Sequence, residues 1–210
     1  VANRWNISIQ RYIRTHAHLY VFTTVLFVVG IVFGSVVVAI LDDVQRHSLL
    51  LQLQNFVTAL NGNHVAPPAT VTWDRIASNI KLIGIIWILG LSIIGLPVII
   101  IILFLKGFVV GFTVGFLVEQ WATKGLLFAI AAVLPQNILL IPAFVFASVA
   151  GIAFSLKLVQ SRFYQRGGSL YHHFLSYSGL TLLVAVVIVV AAFIEGYVSP
   201  IIMHWITPHL

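Results

Sequence analysis

Few side chains in this sequence can do chemistry, and their settings say what that chemistry is. Asp and Glu total 5 (Asp42, Asp43, Asp74, Glu119 and Glu195) against 11 Lys and Arg. Cysteine is absent, which removes thiolate nucleophiles, Cys-based zinc sites and disulfides together. Histidines stand at 16, 18, 47, 64, 172, 173, 204 and 209. His172 and His173 are adjacent, so on a helix they do not share a face, and no His-Glu-x-x-His pattern occurs. Neither a phosphate-binding P-loop nor a Gly-x-Ser-x-Gly elbow is present, so any energy source would be another chain. No catalytic, metal-binding or cofactor-binding set is assigned. What stands out is polar groups in apolar surroundings. Gln136 and Asn137 follow Pro135 inside an apolar run that also contains Pro142. Amides in hydrocarbon need partners, so the pair is either a polar site in a bundle or a satisfied helix break. Glu195 directly follows another apolar run, where an acid is either functional or an anchor for the C-terminal segment.

The elements that would position these groups follow from composition. Of 210 residues, 60% are hydrophobic and only 8% charged, and the mean hydropathy is +1.09. A soluble domain carries roughly 25% charged residues, so this chain cannot cover a water-facing surface. Soluble, disordered and disulfide-stapled classes are excluded. The net charge of +6 falls between apolar runs and reads as membrane orientation, not as nucleic-acid binding. The fold class is all-α, a polytopic helix bundle whose first partner is the lipid bilayer.

Crossing about 30 Å of hydrocarbon takes about 20 apolar residues. Five spans are expected, at 19–41, 82–105, 107–121, 125–156 and 174–194, in one integral membrane domain. Pro97 should kink the second, and Lys106-Gly107 should form a short turn before the third. The fourth is too long for one untilted span and is expected to break at Pro135-Gln136-Asn137, leaving 125–134 as a re-entrant piece or the outer part of a kinked span. Basic residues near the N-terminus and after the fourth span place the N-terminus in the cytoplasm and the C-terminus outside.

The one long loop, 42–79, is then extracytoplasmic. Leu49, Leu53, Phe56 and Leu60 recur in it at helical spacing, ended by Asn61-Gly62, with Pro67-Pro68 opening an extended connector. This amphipathic helix serves either a partner or membrane surface, or its own bundle. Gly107, Gly111 and Gly115 form a small-residue stripe, as do Gly30 with Gly34, and Ala143, Ala147, Gly151 and Ser155. Such stripes let helix backbones approach closely where lipid supplies no hydrophobic drive. They serve internal packing or a homodimer contact.

Three stretches carry a family resemblance: LPQNILLIPAFVFASVAG at 134–151, KGFVVGFTVGFL at 106–117 and AAFIEGYVSP at 191–200. Together they resemble the stage II sporulation protein M family, with Glu195, Gly196 and Pro200 matching its C-terminal motif. Many wider family members carry His-Gly after the proline and an acid four residues beyond the His. Here those positions are Gln136, Asn137 and Leu140, a form that resembles the branch from endospore-forming bacteria; any activity carried by that His and acid should be missing. The resemblance implies a non-enzymatic anchor in the mother-cell membrane at the sporulation septum. It also implies as partners the sporulation proteins D and P, which degrade septal peptidoglycan for engulfment of the forespore. The alternative is a permease-like subunit of an exporter with a separate ATPase. An intramembrane hydrolase is disfavoured because no nucleophile-base pair is evident.

Overall fold

The computed structural model describes residues 14–61, 67–164 and 170–198, which are helical almost throughout. Helix α1 is Ala17–Val38, α2 Asp43–Asn61 and α3 Pro68–Gly90. Helical backbone then runs over Gly95–Tyr164, interrupted only at Ala122, whose φ of 48° and ψ of −124° reverse the chain. We call its arms α4 (95–121) and α5 (123–164). Helix α6, Leu170–Phe193, passes into one π-helical turn, Ile194–Val198. Among the described residues, three stretches are long and apolar enough to span a membrane: Ala17–Val38, Gly95–Gln160 and His173–Tyr197. The second of these contains both arms of the hairpin. The chain is therefore a helical membrane protein.

Contacts give the directions. A methyl on Gly151 would meet Ile99, and Leu117 clusters with Phe128, so α4 and α5 are antiparallel. Gly107 faces Phe27, Gly111 faces Ile31 and Gly115 faces Ser35, so α1 and α4 are parallel. Helix α3 comes back to pack its C-terminal Gly90 beside Tyr177 of α6. Among the described residues, five helices thus cross the bundle. We call the end where α1 starts the near end and the end holding α2 and the Ala122 reversal the far end. The middle of α5 is the core: Ala143, Phe144, Ala147, Val149, Ile152 and their neighbours are buried against α3, α4 and α6.

The boundaries differ from the sequence reading in three places. Lys106 and Gly107 lie inside α4, not in a turn; the chain turns instead at 91–94. Pro97 therefore falls in the first turn of a helix, where its missing N–H would have had no intrahelical partner. The amide of Gly95 donates to the Ser92 carbonyl at 3.2 Å, and the Ser155 hydroxyl donates to the same carbonyl at 3.0 Å. The break expected at Pro135 is absent: α5 runs unbroken past Pro135 and Pro142, and the reversal is at Ala122. A membrane helix tolerates proline when the helices around it hold its course, and α5 is packed on several sides. Finally, 42–79 is not a loop with an extended connector. Pro67 is the N-cap of α3 and Pro68 its first residue, the position where proline's fixed φ favours helix.

Candidate functional site: a polar cluster opposite a glycine seam

Four helical segments bring polar side chains to one place inside the bundle. On α3, Thr72, Arg75 and Asn79 follow at spacings of three and four, one face of a helix. Thr72 and Asn79 are buried. Arg75 Nε donates to Glu195 Oε1 at 2.8 Å. The Gln136 amide, oriented to satisfy both groups, donates to Glu195 Oε2 at 2.7 Å and Oε1 at 2.8 Å. Glu195 is only 10% exposed, whereas the Arg75 side chain is 56% exposed and forms the cluster's open side. Glu195 sits in the π-helical turn, the kind of local widening that re-aims side chains. On α4, Lys106 Nζ donates to Asn79 Oδ1 at 3.4 Å and lies 4.6 Å from the centre of the Phe144 ring. Lys106 stands roughly 17 Å along α4 from Gly95, well inside a span.

Each link joins two segments: α3 to the π turn, α5 to the π turn, α3 to α4. Unsatisfied polar groups in hydrocarbon cost several kcal/mol each, so this set of mutual partners holds the far half of the bundle in register. Arg75 is the cation bonded to the carboxylate. Among the described residues, no group of three or more His, Asp or Glu could hold a metal ion.

The residues singled out in the sequence are thus divided. Gln136 and Glu195 come together. Asn137, next to Gln136, turns to its own helix and donates to the Val133 carbonyl at 2.7 Å. Gly30 and Gly34 meet α4 at Phe104, Gly107 and Phe108, while Gly151 faces Ile99, Ile86 and Tyr177. These stripes are filled by the chain's own helices. Leu53 packs against the hairpin tip of Leu117 and Phe128, and Arg46 pairs with Glu119 at 2.6 Å, so α2 is seated on α4 and α5. The side chains of Phe56 and Leu60, and Pro200, lie outside the described residues. Arg75, Asn79 and Lys106 were missed as site residues. A signal existed in the polar spacing 72, 75, 79 leading into an apolar helix.

The model of one family, stage II sporulation protein M, matches residues 23–200, which takes in most of α1, every later helix and the Glu195 turn. The chain belongs to the stage II sporulation protein M family. No curated protein and no solved structure matches it. For this family member, the match makes it a sporulation-related membrane protein, and its polar cluster draws on all three stretches that carried the resemblance, at Lys106, Gln136 and Glu195.

Proposed function

We propose that this chain is a non-enzymatic scaffold in the mother-cell plasma membrane that recruits peptidoglycan hydrolases, the sporulation proteins D and P, to the septum for engulfment. The observation that carries this reading is the family match across the bundle. The near end lies in the cytoplasm and the far end outside. Arg4, Arg11 and Arg14 precede α1 in the sequence, Lys157 and Arg162 fall in the last turns of α5 and Arg166 follows it in the sequence, whereas Arg46 and Lys124 are the basic residues beside the far-end turns. Partners working on the wall would then meet α2, which among the described helices is the one that does not cross the bundle. Its Leu53 faces inward, but Val44 and Leu51 are exposed at 72% and 46%. The near-end turn at 91–94 is short, which leaves little room for a coupling ATPase.

The test is co-purification from sporulating cells. Val44→Asp with Leu51→Asp should cut capture of the two hydrolases about tenfold, the effect of losing roughly 1.4 kcal/mol of binding, at unchanged membrane abundance. Undiminished capture would remove α2 as the docking surface. Recovery of an ATPase in place of the hydrolases would overturn the scaffold and favour the exporter subunit.

A further inference from the structure

Helix α3 crosses the bundle, yet it is not one of the three stretches apolar enough to span a membrane. Its charges are the reason: Asp74, Arg75 and Lys81 all fall within Pro68–Gly90. The inward face is Thr72, Asn79, Ile83, Ile86 and Gly90, all buried. The opposite face is Asp74, Ser78, Lys81, Ile85 and Ile88, which recur at helical spacing and are all exposed.

Lys81 lies deep in the bilayer. Gly90, at the near end, is about 13.5 Å further along the helix, close to half of a hydrocarbon core of about 30 Å. Asn79, on the same turn of α3 as Lys81, reaches Lys106, itself deep in α4. Helix side chains lean toward the helix N-terminus, which for α3 is the far end, so the lysine stem leads away from the nearer boundary. The two lysines at this depth are treated differently. Lys106 is received by Asn79 and the Phe144 ring. Lys81 is exposed on the outer face, and no described residue bonds it.

Charged groups at this depth pair, because hydrocarbon offers them nothing else. Asp74 is about 10 Å away along the helix. A lipid phosphate stays at the bilayer surface, beyond the reach of Lys81. A second copy of the chain brings no acid to this level: the sequence holds none at 75–118 or 120–194, and Glu119 and Glu195 are bonded to Arg46 and Arg75. A membrane-spanning helix of another protein can carry a carboxylate to mid-bilayer. The surface beside Lys81 suits a helix, since Ala77, Ser78 and Gly84 are small and nothing lies within 4 Å of a methyl built on Gly84.

We infer that the outer face of α3 docks a transmembrane helix of another protein that carries an Asp or Glu near mid-bilayer. Lys81 is the charge that selects it, and Ala77, Ser78 and Gly84 are the surface on which it packs. This inference does not depend on the scaffold reading.

The full chain has no cysteine, so one introduced thiol reports its neighbour. Ser78→Cys is reconstituted in phosphatidylcholine vesicles with synthetic membrane-spanning Leu-Ala peptides that carry a central Asp and a cysteine one turn before or after it, and the disulfide-trapped fraction is read on a gel. The Asp peptides should be trapped about tenfold more than peptides with a central Leu, the effect of one interhelical polar bond. Adding Lys81→Leu should remove that preference, Lys81→Arg should keep it, and Lys81→Asp should transfer it to a peptide with a central Lys. Val186→Cys, on an exposed face of α6, should show no preference. Should Ser78→Cys not accumulate, Ala77→Cys takes its place. Equal trapping of the Asp and Leu peptides, or a preference that survives Lys81→Leu, would overturn the assignment. Loss of the preference on adding phosphatidylglycerol, or a disulfide between two Ser78→Cys chains that excludes the peptide, would overturn it in favour of a lipid phosphate or a second copy.

Discussion

Two sides of the bundle are held by opposite means. Where α1 meets α4, glycines bring backbone to backbone: a methyl on Gly34 would overlap the Phe108 carbonyl, and one on Gly115 would stand 3.0 Å from Ser35 Cα. Where α3, α4, α5 and the π turn meet, the contact is a set of directed polar bonds around Glu195. Lipid tails are as apolar as leucine, so neither side gains from burial as a soluble core does. The seam gains dispersion from close approach and tolerates no added volume. The cluster gains hydrogen bonds and tolerates no missing partner. A membrane bundle thus fails by crowding on one side and by deletion on the other.

The largest test of that contrast is Gly34→Val. Both colliding groups are backbone, which cannot rotate away, so the cost should be about 3 kcal/mol or more, enough to deplete folded protein. Thermal unfolding in detergent measures it. Gly84→Ala and Gly179→Ala, where nothing lies within 4 Å, should be neutral or slightly stabilising. If all three behave alike, close packing at the seam is not what holds α1.

The cluster should respond next. Glu195→Ala leaves Arg75 and Gln136 without their shared acceptor, and should cost about 2 kcal/mol, less than a fully buried pair because Arg75 is half exposed. A double-mutant cycle with Arg75→Gln should return a coupling of about 1 kcal/mol. Additive losses would mean that the two side chains act independently. The smallest effect belongs to the other ion pair. Arg46 and Glu119 are each about one-third exposed, and Glu119→Gln should cost only about 0.5 kcal/mol, falling further in high salt. A loss equal to that of Glu195→Ala would erase the distinction between an interior tie and a rim contact.

The helical membrane class, the small-residue stripes and the presence of Gln136 and Glu195 as polar groups in apolar surroundings were legible in the sequence, because apolar length, spacing and a lone charge are local signals. The breaks were not. Lys106 looked like a boundary because a charge after an apolar run usually marks one; Asn79 and Phe144, distant in sequence, receive it inside the span. Pro135 looked like a break because it removes a backbone donor, yet packing around α5 keeps the helix whole. The true turn at 91–94 lay between Gly90 and Pro97, a glycine that ends one helix and a proline in the first turn of the next. Ala122 carried no such mark; its reversal is set by the packing of Leu117 against Phe128, which local propensity does not encode. Arg75 and Asn79 escaped for a related reason, since their partners, Glu195 and Lys106, belong to other helical segments.

The parallel register of α1 and α4 also sets a schedule for synthesis. Phe27 meets Gly107, Ile31 meets Gly111 and Ser35 meets Gly115, always 80 positions apart. At ribosomal speed each of these α1 residues is made roughly 4–16 s before its partner exists. During that interval the glycine face of α1 is open to any neighbouring helix, and a chain halted before residue 115 would leave it so. Release of the nascent bundle from whatever attends its insertion must wait for α4.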